Sequence, residues 1–161
     1  MISKEHLSTL KKVQNELLPY IFIETDNVLQ NPELVESCRK EIEEIPNYES
    51  DSQCLLFVGK AYQALGNHDL AYENFKKMYS ISKEDYNFVH VALSEVIYEC
   101  LCLDKYGEAL AWSKVQMKDQ PQFSSEEYSA NNCNYGIVKF LSGDFDGGID
   151  CVKKIFIRRS I

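Results

Sequence analysis

The chain has 161 residues, 45% hydrophobic and 26% charged, and its seven glycines and four prolines are too few for a linker-rich or collagen-like sequence. That length suits one domain with a core of its own. The net charge of −8 works against attraction to nucleic acid or anionic lipid, which need lysine and arginine to displace counterions, so neither is expected as a partner.

Met1 to Lys12 is polar and charged where a secretory signal needs an apolar stretch. No run nears the ~20 apolar residues of a membrane span, so the expected location is the cytoplasm. A first helix is expected over 3–29, bent or divided around Pro19. Asn31-Pro32-Glu33 puts a cap residue before a proline at the first helical position and opens a helix over 32–45. Ser50-x-x-Gln53 reads as a capping box for a helix over 51–65. Helices follow over 68–80, 84–103, 106–118, 125–142 (opened by the box Ser124-x-x-Glu127) and 145–158. No strand pattern survives beside them, so the fold class is all-α with seven to eight helices.

A period near 38 residues runs through these helices. Its clearest copy holds Leu55, Val58, Gly59, Tyr62, Gly66, Ala71, Phe75 and Met78. Gly59 and Ala71 are small where two helices must cross closely, Tyr62 and Phe75 fill the space beside the crossing, and Gly66-Asn67 supplies a left-handed turn and a cap. A second copy lies 38 residues on, with Leu93, Ile97, Asp104-Lys105-Tyr106, Ala109 and Pro121. Here Cys100 stands for the tyrosine and Ser113 for the second-helix aromatic, with Trp112 expected to take over its packing. A third, 39 residues further, has Tyr135, Gly136, Gly143-Asp144-Phe145, Gly148, Val152 and Ile155, and Lys139 for the tyrosine. Stepping back 37 residues gives a degenerate copy: Phe22, Leu34, Cys38 and Pro46.

This pattern resembles the tetratricopeptide (TPR) repeat, well over residues 52–157 and little over the first 50. The resemblance implies a right-handed superhelix of antiparallel helix pairs, a TPR-like α-solenoid forming a single domain over 1–161. Residues 1–50 would be a degenerate first repeat or N-terminal helical cap, and 51–83, 84–123 and 124–158 the repeats. It also implies a protein-protein interaction module that binds a peptide or partner helix in its concave groove, as an adaptor, chaperone or regulator. The expected lining is Gln53, Leu56, Phe57, Lys60 and Gln63, then Ser94, Glu95 and Tyr98, then Cys133, Asn134 and Ile137. TPR domains that clamp acidic chaperone tails use lysine, asparagine and arginine at places held here by Leu56, Lys60, Glu95, Ala130 and Asn134, so no such clamp is expected.

Two further surfaces follow from charge and hydropathy. The acidity suits an alternative function, an inhibitor or immunity protein neutralising a basic enzyme such as a nuclease. The last nine residues hold Lys153, Lys154, Arg158 and Arg159 with no acid, as suits a helix C-terminus. Ile149, Val152, Ile155 and Phe156 crowd the same helix without a polar capping face, which points to self-association, a homodimer through the C-terminal helix.

Chemistry-bearing patterns are sparse. His6, His68 and His90 are far apart and match no zinc or protease motif. Cys100-x-Cys102 is not a C-x-x-C pair, and the six cysteines are expected to be reduced. Asp144-x-Asp146-x-Gly148 fails as a calcium loop, because Gly148, Ile149 and Ile155 stand where a donor, glycine and glutamate are needed; it reads as an inter-helix turn. With no P-loop, G-x-G-x-x-G or G-x-S-x-G, the chain is expected to be no enzyme and to need no cofactor or metal.

Overall fold

The computed structural model describes residues 4–21, 31–118 and 125–158, apart from a few side chains at the ends of these stretches. The described residues form α-helices and one short 3-10 turn, with no strand, and helices adjacent in sequence pack on one another. Their order is α1 (Lys4–Ile21), α2 (Pro32–Glu43), the 3-10 turn (Tyr48–Ser50), α3 (Ser52–Ala64), α4 (His68–Ile81), α5 (Tyr86–Cys102), α6 (Tyr106–Met117), α7 (Ser125–Leu141) and α8 (Phe145–Arg158). None is long and apolar enough to cross a membrane. Contacts divide the chain into two compact units, residues 1–92 and 93–161, with the division inside α5.

In the first unit each helix buries one stripe. Leu10, Val13 and Leu17 of α1, Val35, Cys38 and Ile42 of α2, and Cys54, Phe57, Val58 and Ala61 of α3 recur at helical spacing and close one apolar core, with Ile45 beside them. Pro19 lies within α1, which runs on to Ile21; the expected continuation through residue 29 falls outside the described residues. α3 and α4 meet where Gly59 faces the Phe75 ring. A Cβ at Gly59 would sit 2.5 Å from Phe75 Cε1, so the close approach requires glycine, and the fully buried ring has nowhere to go. α3 is not capped by Ser50, which belongs to the 3-10 turn. Asp51 is in the extended conformation that a cap needs, and its Oδ1 accepts from the Gln53 and Cys54 amides at 3.0 Å each. The Ser124 box lies outside the described residues; at α2, Pro32 takes the first position as expected.

Arg39 of α2 is the polar counterpart of this core. Only 8% exposed, it donates to both carboxylate oxygens of Glu36 (2.6 and 2.9 Å), to Glu43 (2.5 Å) and to the Tyr62 hydroxyl (2.9 Å), while its guanidinium lies over the Tyr62 ring. Tyr62 in turn donates to Glu43 at 3.1 Å. The Glu36 bond raises the Arg39 pKa further above its usual value, and the same bond holds the Glu36 carboxyl below its usual range.

The second unit contains the rest of α5 and α6–α8. α7 and α8 cross at two glycines: a Cβ on Gly136 would lie 3.0 Å from the Gly148 carbonyl oxygen, and one on Gly148 would lie 2.8 Å from that of Gly136. Ser113, at the register of Phe75, is itself buried and donates to the Ala109 carbonyl at 2.8 Å, so the aromatic is replaced by a small satisfied hydroxyl, with Trp112 half-buried beside it. Lys139 pairs with Asp144 at 3.0 Å and lies over the Tyr135 ring.

The hairpin turns repeat one backbone motif. Gly66, Asp104 and Gly143 all adopt positive φ, and the next residue in each case, Asn67, Lys105 or Asp144, donates its amide five residues back, to Tyr62, Cys100 and Lys139 respectively. This is the helix C-terminal closure that a left-handed residue permits. Positions 66, 104 and 143 reproduce the spacings of 38 and 39 residues seen in the side-chain pattern.

Candidate partner-binding pocket

Within the second unit, the end of α5 presents Ser94, Ile97, Tyr98 and Leu101, four residues on one helical face. α7 answers with Asn134, Ile137 and Val138, and α6 contributes Gln116. Together they enclose a pocket of about 110 Å³. Val138 and Ile97 are buried and make its floor, whereas Tyr98 (51% exposed) and Ile137 (47% exposed) stand as open walls. Gln116 is buried and its Nε2 donates to Ser94 Oγ at 2.8 Å, which fixes both polar groups at the edge of the apolar floor. The Tyr98 hydroxyl bonds Cys102, one turn on; this bond raises the tyrosine pKa above its usual value, and burial raises that of the Cys102 thiol.

Four of the residues read from the sequence therefore meet here: Ser94, Tyr98, Asn134 and Ile137. Glu95 is half-buried and Cys133 exposed on the same helices, outside the pocket lining. Sequence reasoning missed Ile97, Leu101 and Val138, which flank the expected residues on the same two helices, and, chiefly, Gln116, because it considered the first helix of each pair only. A signal was present: Ala109, Ser113 and Gln116 repeat at helical spacing as the buried stripe of α6, so two polar side chains occupy core positions.

The first-unit residues fare differently. Gln53 is exposed, and Leu56 and Gln63 are half-buried. Phe57 does not line a surface, for its ring sits in the apolar core. Lys60 is buried along its stem and donates to Gln63 Oε1 at 2.9 Å. An open cleft of about 560 Å³ in this unit is lined by Glu43, Tyr48, Glu49, Tyr62, Glu73 and Lys77, among others. Its carboxylates are already engaged: Glu43 by Arg39 and Tyr62, Glu49 by Lys77 at 2.7 Å, and Glu73 by Lys76 at 3.3 Å.

His90 packs against the Tyr86 ring at 4.3 Å, and His68 is half-buried at the start of α4. Asp144 Oδ1 accepts from the Gly147 amide at 3.0 Å, so this segment is the cap of α8. Cys38, Cys54, Cys100 and Cys151 are buried and Cys102 and Cys133 exposed, and none of the six is in a disulfide.

No protein-family model matches the chain, and no curated protein matches it.

Proposed function

We propose that this chain is a non-enzymatic, TPR-like protein-binding module, a right-handed α-solenoid over residues 1–161 that serves as an adaptor, chaperone or regulator. The observation carrying this reading is the second-unit pocket, an apolar floor with Ser94, Gln116 and Asn134 on its edge and two exposed apolar walls. Such a site takes one apolar side chain and offers hydroxyl and carboxamide groups to the peptide backbone beside it. At about 110 Å³ it is smaller than the ~150 Å³ cavity that accommodates a benzene ring, which favours an aliphatic anchor of leucine or methionine size. The recurring closures at 66, 104 and 143 support the repeat reading.

The alternative, an acidic inhibitor of a basic enzyme, is less well supported. The first-unit acids Glu36, Glu41, Glu43, Glu49 and Glu73 are each paired with a lysine or arginine of the chain itself.

The reading is tested by selecting binders from a displayed random-peptide library and measuring their affinity by fluorescence anisotropy. Selected peptides should share one aliphatic anchor, and Tyr98→Ala should weaken them at least about tenfold, the effect of losing ~1.4 kcal/mol. Because the Tyr98 ring is half in solvent, its removal should change stability by less than about 0.5 kcal/mol. Peptides indifferent to Tyr98→Ala and to Ile137→Ser would remove the pocket from the function. Binding that collapses as salt is raised would favour the inhibitor reading instead.

A further inference from the structure

We propose that α8 is a self-association surface, through which two copies of this chain pair with their α8 helices antiparallel. Phe145, Ile149 and Val152 are all exposed along one face of α8, and the same spacing continues to Phe156, whose side chain lies outside those described. The four positions 145, 149, 152 and 156 are separated by four, three and four residues. They are therefore symmetric about a point between Asp150 and Cys151, with phenylalanine at both ends and a β-branched residue at both inner places. A two-fold axis through that point sets Phe145 against the partner's Phe156 and Ile149 against the partner's Val152. Such a face is complementary to itself, the requirement of an isologous interface.

The groove beside the stripe widens this surface. Ile137 and Phe140 of α7 with Ile149 and Val152 of α8 line an apolar groove of about 330 Å³, floored by Gly136 and Gly148 where the two helices approach too closely for any side chain. Phe140 packs edge-on against Phe145 at 4.8 Å, so the aromatic end of the stripe is held by α7. A contiguous apolar face of this kind marks a contact surface.

Charge selects the second copy as the occupant. Helical spacing places Asp146, Asp150 and Lys153 together on one flank of the stripe. The two-fold brings the partner's Lys153 to the axial level of residue 148, about 3 Å along the helix from both Asp146 and Asp150. Each lysine then meets two carboxylates, twice over by symmetry, and these attractions outnumber the one like-charge approach, of Asp150 to the partner's Asp150 across the two-fold axis. The existing Asp150–Lys153 pair within one helix is long, at 3.6 Å, and both groups are about two-thirds exposed, so Lys153 is available to turn towards the partner.

Sedimentation velocity of the full chain over a hundredfold concentration range tests this. The expected result is a reversible monomer–dimer equilibrium that Ile149→Asp weakens at least about tenfold, the effect of ~1.4 kcal/mol. The charge-reversed variants D146K/D150K and K153E should each dimerise poorly alone and should dimerise together when mixed in equal amounts. That rescue also shows that both are folded. A wild-type chain that stays monomeric throughout overturns the proposal, as does a dimer indifferent to Ile149→Asp or to the charge reversals. Tyr98→Ala leaves the association unchanged, which separates this result from the fate of the peptide pocket.

Discussion

The two units differ in which apolar residues they leave open to solvent. In residues 1–92 Leu10, Leu17, Ile42, Phe57, Phe75 and Met78 are buried, the exposed large apolar side chains among the described residues, Leu7, Leu18, Leu70, Ile81 and Val91, include no aromatic, and the charged Arg39 is buried only in company with Glu36, Glu43 and Tyr62. In residues 93–161 the core includes polar groups, Ser113, Gln116 and Asn132, while Tyr98, Ile137, Phe140, Leu141, Phe145, Ile149 and Val152 remain open to solvent. A unit that withholds apolar area from its own core and displays it gives up folding free energy of roughly 25 cal/mol per Å². That free energy is recovered when another surface covers the area. The pocket of the proposed function and the proposed α8 contact face both lie in the second unit.

The largest effect that can test this contrast is loss of packing in the first unit. Phe75 is fully buried against Gly59, and Phe75→Ala should cost about 3–5 kcal/mol, read from denaturant unfolding. A loss no larger than that caused by Ile149→Ala, whose side chain is exposed, would break the comparison.

Arg39→Ala comes next, at about 2–3 kcal/mol, since it leaves Glu36 only the longer pair with Lys40 and Glu43 only the Tyr62 hydroxyl, and empties the place of a buried side chain. It carries a pH signature. The bond to Arg39 lowers the folded-state pKa of Glu36, so its contribution is fully present above the unfolded carboxyl value and is lost as pH falls through the folded one. The stability gap between wild type and Arg39→Ala should thus narrow below about pH 4, and a gap that is flat across that range would count against the network.

Glycine substitutions sharpen the contrast at smaller scale. Gly59→Ala should destabilise by about 1–3 kcal/mol through overpacking against Phe75. Gly107→Ala, in α6, meets nothing within 4 Å and should stabilise by about 0.5–1 kcal/mol. Thermal melts of the pair should move in opposite directions.

The mildest probe leaves the fold intact. Burial pushes the Cys54 thiol up to about 12 and that of Cys38 up to about 11, so neither supplies thiolate at neutral pH. A disulfide reagent should label Cys133 first, then Cys102, which is exposed but has a raised thiol pKa, and both, in the second unit, well before the other four. Early labelling of Cys54 would show that the first unit opens more readily than its core implies.

Much of the helical order is legible because it is local. Outside the first helix, the expected helices agree with the observed ones to within two residues, since hydrophobic spacing, Pro32 and the turn residues Gly66, Asp104 and Gly143 act within a few positions of chain. The cap of α3 was misplaced by one residue because Ser50 and Asp51 are both good caps, and the 3-10 turn that precedes them decides which is extended. The site was legible in part. Tyr98 and Ile137 are recognisable as apolar residues on the polar side of their helices, but nothing local separates them from Phe57, which lies on a helix face of the same kind and is buried.

The sequence by itself determined the all-helical class, the helix boundaries and the 38- and 39-residue period, because these rest on contacts a few residues apart. Only the tertiary structure decided that Phe57 packs inward while Tyr98 stands open, that Gln116 joins Ser94 at a pocket's edge, and that Arg39 is held by three partners from two helices. Those outcomes depend on which helix faces which, and that choice is settled by the shapes of surfaces distant in sequence.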